Sequence, residues 1–113
     1  MNKDIIKFGK LLYDKDLTSA TSGNISCKCG DKIFITSTGS ALGLLQDDDV
    51  VEIDFNGNEI KNGKKASSEK FLHIEIYKMR SDVNAIIHCH SPFSTAFGSP
   101  VSSLSSLSSP GGG

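Results

Sequence analysis

Long apolar runs are missing from this sequence of 113 residues. No stretch approaches the roughly 18 consecutive apolar residues that a helix needs to cross a bilayer. The opening residues, MNKDIIKFGK, are charged and lack the apolar core of a signal peptide. We therefore predict a cytoplasmic protein that has no membrane among its partners.

Cysteine and excess charge are also scarce. The cysteines Cys27, Cys29 and Cys89 are odd in number, and the first two are too close together for a disulfide framework, so we expect reduced thiols. A formal net charge of -1 gives no reason to expect nucleic acid as a partner. The remaining composition, 37% hydrophobic and 22% charged, is typical of one small globular domain.

The composition changes sharply at the end of the chain. From Gly98 onward the sequence GSPVSSLSSLSSPGGG has no charged residue and consists mostly of serine, glycine and proline. Such a segment cannot bury enough apolar surface to offset the entropy of ordering it. We therefore predict a domain over residues 1–97 and a disordered tail over residues 98–113.

Apolar spacing within residues 1–97 predicts two helices and several strands. Near the start, one helical face would carry Ile5, Ile6, Phe8, Leu11 and Leu12. In SSEKFLHIEIYKMR, the residues Leu72, Ile76 and Met79 follow i, i+4, i+7 spacing after two serines that are N-cap candidates. Strands are predicted for DKIFITS, for DVVEIDF before an Asn-Gly turn, and for VNAIIHCH.

The last predicted strand carries a His-x-His pair, His88 and His90. Residues i and i+2 of a strand point to the same face with Cα atoms about 6.6 Å apart. Two imidazoles placed in this way can bind one zinc ion, although three or four ligands are normally required. The alternative is a pair of hydrogen-bonded polar histidines at a strand end.

A second candidate is the start of the second helix. Ser67 and Ser68 precede it, where free backbone N–H groups, the helix dipole and hydroxyls favour an anion such as phosphate. Glu69 beside that anion would be useful for proton transfer or for a metal, but a plain serine cap with a dipole-stabilising glutamate explains the same residues. His73 shares the helical face of Glu69 and is either a third metal ligand or a partner of that carboxylate.

Two small-residue turns and a Cys-x-Cys pair complete the candidates. TSGNIS (21–26) and TSTGS (36–40) contain glycines that allow backbone N–H groups to approach an anion, but such turns also simply connect strands. Cys27 and Cys29 would form a metal site with the two histidines only if their unusual spacing were tolerated, because zinc sites normally use Cys-x2-4-Cys. The alternative is that the two thiols happen to lie on the same face of a strand and bind nothing.

Taken in order along the chain, the Ser-Gly-Asn, Thr-Gly, Ser-Ser-Glu and His-x-His motifs closely resemble those of the class II aldolase/adducin family, over about Ile5 to Phe97. The resemblance implies an α/β fold with three αβα layers around a mostly antiparallel sheet, and a homotetramer in the full-length form. It implies substrate phosphate binding by Gly23, Asn24, Thr38, Gly39, Ser67 and Ser68. It further implies Glu69 as the catalytic acid/base, desolvated near the metal, and His88 and His90 as two ligands of Zn²⁺.

The activity implied is the zinc-dependent retro-aldol cleavage of a ketose 1-phosphate, such as L-fuculose 1-phosphate, to dihydroxyacetone phosphate and an aldehyde. Zinc would act as a Lewis acid, and the bound phosphate would fix the reacting carbons. Three other functions stay open. They are a pentulose-5-phosphate 4-epimerase or methylthioribulose-1-phosphate dehydratase of the same family, a non-catalytic adducin-like assembly module, and a thiol/histidine metal-binding module.

The departures from the family pattern are also informative. A third zinc-binding histidine is expected some tens of residues after the His-x-His pair, and it is absent from this sequence. Ala66 stands where members often have proline, and the apolar helix expected after Phe97 is replaced by the serine-rich tail. We therefore interpret the chain as the N-terminal part of a truncated aldolase domain that is inactive alone.

Overall fold

The computed structural model describes residues 2–15, 23–61, 64–90 and 102–108. Two helices and six strands follow one another along the chain. They are α1 (Asn2–Asp14), β1 (Asn24–Cys29), β2 (Lys32–Thr36), β3 (Val50–Asp54), β4 (Glu59–Lys61), α2 (Lys70–Met79), β5 (Val83–His90) and β6 (Ser102–Ser108). Short 3-10 turns at Leu42–Leu44 and Asp47–Asp49 connect β2 to β3.

The strands form one sheet in the order β4-β3-β2-β1-β5-β6, and every neighbouring pair is antiparallel. The predicted Asn-Gly turn joins β3 to β4, where Gly57 has a φ of 87° that favours glycine. Asp54 fixes this turn because its Oδ1 accepts the N–H groups of Asn56 and Asn58 at 2.8 and 2.9 Å. The sheet is the largely antiparallel one that the resemblance implied.

The two helices cover opposite faces of the sheet. On one face α1 packs over a buried cluster of Ile5, Ile25, Cys27, Leu42, Leu45 and Val50. On the other face α2 packs over Ile33, Ile35, Val51, Ile53, Ala66, Ile74, Tyr77, Val83 and Ile86. In β2, Ile33 and Ile35 belong to the cluster under α2 while Phe34 packs against the cluster under α1, as the period of two requires. The three-layer αβα prediction is therefore confirmed.

The predicted apolar faces of the helices are only partly correct. In α1, Phe8 and Leu11 are 39% and 46% exposed. In α2, Leu72 and Met79 are 38% and 78% exposed. The buried face of α2 instead consists of His73, Ile74 and Tyr77. Apolar spacing missed this face because two of its residues carry polar atoms, which can be buried where hydrogen bonds satisfy them.

The serine-rich segment also differs from expectation where it is described. We predicted disorder over residues 98–113, but the backbone of Ser102–Ser108 forms β6, antiparallel to β5, with Cys89 opposite Ser103. The seven residues of β6 contain no glycine or proline, and β5 offers a row of backbone groups that a further strand can pair. The other residues of 98–113 lie outside the described part, and the domain boundary at residue 97 stays a prediction.

Helix α1 approaches the β2–β3 connection closely at Gly9, which is buried. A Cβ atom at this position would overlap the carbonyl oxygen of Leu42 and come within 2.9 Å of the Leu45 side chain. The close approach therefore belongs to the packing of α1 against the sheet layer. A separate finding is that no helix among the described residues is long and apolar enough to cross a membrane.

We predict that Gly9→Ala destabilises the chain. The better helix propensity of alanine would add about 0.5–1 kcal/mol. Overpacking against a backbone oxygen costs about 1–3 kcal/mol, so the net loss is expected to be about 1–2 kcal/mol in the free energy of unfolding. Urea unfolding measures this change, and Lys7→Ala at an exposed site of the same helix is the control. Equal or greater stability of Gly9→Ala would contradict the close approach.

Candidate functional site

The second small-residue turn and the start of α2 lie side by side. Ser37 and Ala66 form an isolated antiparallel bridge. Next to it, the N–H of Thr38 donates to the carbonyl oxygen of Lys65 at 3.0 Å, and the N–H of Ser67 donates to the carbonyl oxygen of Thr36 at 2.9 Å. The backbone thus joins two motifs that are about 30 residues apart in the sequence.

These motifs line an open cleft of about 540 Å³. Three of the residues predicted to bind phosphate, Thr38, Ser67 and Ser68, are in its wall. A smaller cleft of about 360 Å³ shares Thr38 and includes Gly39, whose φ of 73° is favourable for glycine. The structure therefore brings four of the six predicted phosphate-binding residues to one area.

Sequence reasoning missed three charged residues of the larger cleft, namely Glu59, Lys65 and Lys70. Lys70 Nζ donates to the carbonyl oxygen of Gly57 at 2.8 Å, and Glu59 Oε2 accepts the N–H of Ala66 at 2.6 Å. The glutamate bond depends on the N–H of Ala66, which a proline at this position would not have. A signal for the cations was present in the sequence, because Lys65 lies two residues before Ser67 and Lys70 directly follows Glu69.

The serines shape the start of α2 in the way a serine cap does. Ser67 Oγ accepts the N–H of Glu69 at 3.2 Å, and the carbonyl oxygen of Ser67 accepts the N–H of Lys70 at 3.0 Å. Glu69 is the residue before the first helical one, and its own side chain makes no capping bond. The Glu69 side chain is exposed, so the desolvation that the resemblance implied is not found in this chain.

Hydrogen bonds to Thr36 connect the start of β1, at Asn24, to the same region. The N–H of Ile25 donates to Thr36 Oγ1 at 3.2 Å, and the carbonyl oxygen of Thr36 in turn accepts the N–H of Ser67. Gly23, directly before Asn24, has a φ of 100°. The described part of the first small-residue motif therefore lies beside the segment that leads into α2, and from Asn24 onward it is strand β1 and not the turn that was predicted.

Both ring nitrogens of His73 are engaged in hydrogen bonds. Nε2 contacts Asn24 Oδ1, and Nδ1 lies 2.6 Å from Ser26 Oγ, which is also 2.7 Å from the hydroxyl of Tyr77. His73 is fully buried. Neither of the two roles considered for His73 from the sequence, third metal ligand or partner of Glu69, is supported by these contacts.

Burial also sets the protonation of this cluster. It lowers the pKa of His73 to about 4, and the nearby His88 adds a smaller effect in the same direction. Burial raises the pKa of Tyr77 well above its usual value. Both groups are therefore neutral at pH 7.

His88 lies on the α2 face of the sheet. It is directly opposite Asn24 in the β1–β5 pairing, so the two side chains share a face. His90 pairs through its backbone with Ser102, and its side chain lies outside the described part of the chain. Within residues 2–15, 23–61, 64–90 and 102–108, no group of three or more His, Cys, Asp or Glu side chains is placed to hold a metal ion.

Cys27 lies on the opposite face of the sheet from His88. It packs in the cluster under α1, and burial raises the pKa of its thiol to about 11. A thiolate ligand is disfavoured there, and the sheet itself separates Cys27 from His88. The thiol/histidine metal-binding module is therefore incompatible with the described structure.

We predict that Cys27→Ser leaves zinc binding by the chain unchanged, because Cys27 faces the core under α1. Isothermal titration with Zn²⁺ measures this, and His88→Asn is the matched variant that we expect to weaken binding. A loss of zinc affinity in Cys27→Ser equal to that in His88→Asn would restore the thiol/histidine alternative.

Comparisons with known proteins agree with the fold and the order of motifs. The family model described as "Class II Aldolase and Adducin N-terminal domain" matches residues 3–108. An L-fuculose phosphate aldolase of Methanocaldococcus jannaschii is 52% identical over 93 residues, which cover 82% of this chain and 50% of that protein. A methylthioribulose-1-phosphate dehydratase of Azotobacter vinelandii is 35% identical over 92 residues, which cover 80% of this chain and 45% of that protein.

Solved structures give the same result. One L-fuculose 1-phosphate aldolase superposes with a TM-score of 0.77 at 35% identity, covering 85% of this chain and 46% of that one. The chain thus spans about half the length of the relatives it matches. The chain belongs to the class II aldolase/adducin family.

Proposed function

We propose that this chain is the N-terminal half of a zinc-dependent sugar-phosphate aldolase. The reaction is cleavage of a ketose 1-phosphate, such as L-fuculose 1-phosphate, to dihydroxyacetone phosphate and an aldehyde, in the cytoplasm. One observation carries the proposal: Thr38, Ser67 and Ser68 line one cleft, and Glu69 follows Ser68 in the chain as the N-cap residue of α2. The chain alone is inactive in this proposal, and the full-length form is a homotetramer.

The cleft provides the groups that a phosphate monoester needs. Hydroxyls of Thr38, Ser67 and Ser68, together with backbone N–H groups near Gly39, are neutral donors suited to a dianion. Lys65 and Lys70 add positive charge around the same cleft. Anchoring the phosphate there would hold the reacting carbons at a fixed distance from Glu69.

The metal-binding residues fit zinc in their chemistry but not yet in their number. His88 and His90 supply imidazole nitrogens, which zinc prefers, and a structural or catalytic site needs at least one more protein ligand. When bound, zinc would supply Lewis-acid stabilisation of the negative charge that develops on substrate oxygens. The third ligand would come from the half of the domain that the matched relatives have in addition.

Glu69 is the proposed acid/base. Its backbone is fixed by the bond from its N–H to Ser67 Oγ and by the first turn of α2, where His73 N–H donates to the Glu69 carbonyl oxygen at 3.3 Å. The side chain is exposed, and in this proposal it accepts and returns a proton at the substrate carbon next to the carbonyl. Fixing the backbone while leaving the carboxylate accessible suits proton transfer.

A dehydratase is the second candidate. A methylthioribulose-1-phosphate dehydratase is among the relatives, at 35% identity, and it is a second activity associated with the same motifs. An epimerase acting on pentulose 5-phosphates and a non-catalytic adducin-like module are weaker candidates. The presence of Glu69, His88 and His90 together favours an enzyme over a purely structural module.

A chimera tests the proposed function. Residues 1–97 would be joined to the C-terminal half of the Methanocaldococcus jannaschii relative, which the chain matches at 52% identity. We expect the zinc-loaded chimera to release dihydroxyacetone phosphate from L-fuculose 1-phosphate, detected by a coupled reduction. The 113-residue chain, tested in parallel, should release none.

Two results would count against the proposal. A folded, zinc-bound chimera that does not cleave the ketose phosphate would contradict the aldolase assignment, and dehydration of methylthioribulose 1-phosphate by the same sample would establish the second candidate. Chelator-sensitive cleavage by the 113-residue chain alone would contradict the statement that the chain is inactive.

A further inference from the structure

Four buried polar side chains connect α2 to the start of β1. Asn24, Ser26, His73 and Tyr77 are 6%, 0%, 0% and 3% exposed. They form a continuous series of hydrogen bonds in the order Tyr77, Ser26, His73, Asn24. Only Asn24 has a role in the proposed function, so the other three residues need a separate explanation.

The amide orientation of Asn24 determines where each proton lies. Asn24 Oδ1 can only accept, so His73 Nε2 carries the proton and donates it to that oxygen. A neutral imidazole then has a bare Nδ1, which accepts the hydroxyl proton of Ser26. Ser26 Oγ in turn accepts the hydroxyl proton of Tyr77. Each of the three hydrogen bonds in the series then has one donor and one acceptor.

The reversed series is less favourable. If the Asn24 amide were flipped, His73 Nδ1 would donate to Ser26, and Ser26 would donate to the Tyr77 oxygen. The Tyr77 hydroxyl proton would then need another acceptor, and the described part of the chain shows only Ser26 in hydrogen-bond contact with that hydroxyl. A buried hydroxyl left unpaired costs stability, so the first direction is preferred.

We propose that His73 is a positioning residue which, held in its Nε2–H tautomer by Ser26 and Tyr77, orients the Asn24 amide so that its NH2 group faces the substrate phosphate. This inference rests on the proposed function, because it takes Asn24 as a phosphate-binding residue. With Oδ1 occupied by His73, Nδ2 is the end of Asn24 that can donate to an anion. An amide free to flip would present its oxygen to the phosphate for part of the time.

The tautomer is measured directly on the 113-residue chain. Long-range ¹H–¹⁵N spectra of histidine-labelled protein at pH 7 distinguish a protonated ring nitrogen from a bare one. We expect His73 to show a protonated Nε2 and a bare Nδ1, with Tyr77→Phe shifting the Nδ1 signal through Ser26. A protonated Nδ1 in His73 would overturn the proposal whatever the variants show.

Titration with inorganic phosphate tests the positioning role. The readouts are the backbone amides of Thr38 and Ser68 and the side-chain amide of Asn24. We expect His73→Leu to weaken phosphate binding by about tenfold, the value of one lost hydrogen bond to a charged group. Tyr77→Phe, which keeps the ring and removes only the hydroxyl at the far end, should weaken it by a smaller factor.

The outcomes separate the two proposals. If phosphate shifts Thr38 and Ser68 with equal affinity in the wild type and in His73→Leu, the positioning role is wrong and the phosphate site stands. If phosphate shifts neither Thr38 nor Asn24 in the wild type, the phosphate site of the proposed function is wrong, and the positioning role is wrong with it. If His73→Leu does not fold, unchanged phosphate affinity in Tyr77→Phe overturns the positioning role.

Discussion

Glu69→Gln in the zinc-loaded chimera is expected to lower kcat by about 10²–10⁴-fold, the usual contribution of a positioned acid/base group. Glutamine keeps the shape of the side chain but cannot accept or return a proton. Because the proposed phosphate-binding residues Thr38, Ser67 and Ser68 are unchanged in this variant, KM should change far less than kcat. Steady-state cleavage of L-fuculose 1-phosphate, measured with the wild type and the variant at equal zinc content, gives both constants.

The matched control is Glu75→Gln, which removes an exposed carboxylate from the same helix away from the cleft. It should leave both constants unchanged. If Glu69→Gln raised KM and left kcat intact, Glu69 would be a binding residue, and the assignment of acid/base chemistry to the start of α2 would be wrong.

The strands and turns could be predicted from the sequence because the pattern that specifies them is local. Val51 and Ile53 alternate with the polar residues Glu52 and Asp54 and are buried under α2, as a period of two requires. Asn56 and Gly57 specify a tight turn by their own backbone preferences. Predicting these features needed no information from distant residues.

The buried face of α2 could not be predicted in the same way. His73 and Tyr77 are polar-tipped, and what makes their burial favourable is hydrogen bonding to Asn24 and Ser26, which are 47 to 51 positions away in the sequence. Apolar spacing instead selected Leu72 and Met79, which are exposed. Long-range polar contacts leave no periodic signal in a single sequence.

The candidate site was also predictable only in part. The motif order predicted that Thr38, Gly39, Ser67 and Ser68 belong together, and the backbone pairing of residues 37 and 66 brings them to adjoining clefts. The environment of Glu69 was not predictable, since its exposure depends on which parts of the domain are present. The roles of all the predicted site residues remain proposals, and they are Gly23, Asn24, Thr38, Gly39, Ser67, Ser68, Glu69, His88 and His90.

The second large effect expected is a loss of stability in mild acid that is caused by His73. Its folded pKa of about 4 lies below the value of 6.5 for a free histidine, because burial disfavours the charged form and the nearby His88 adds a smaller effect in the same direction. The unfolded chain therefore binds more protons between pH 6.5 and pH 4, and stability falls as the pH is lowered through that window. At pH 5 the loss relative to pH 7 should be about 2 kcal/mol.

Urea unfolding at pH 7 and at pH 5 measures this loss, and His73→Gln identifies its source. The groups that face His73 are Tyr77 on its own helix and His88 on β5, and Tyr77 remains uncharged across this range because burial raises its pKa. The hydrogen-bonded carboxyl of Asp49, whose burial is outweighed by bonds from Lys64 and Gln46, has a pKa lowered from 3.8 and acts only in stronger acid. His73→Gln should be less stable at pH 7 yet lose much less between pH 7 and pH 5. Equal stability of the wild-type chain at the two pH values would show that His73 takes up its proton without unfolding, and that its buried contacts are weaker than the structure indicates.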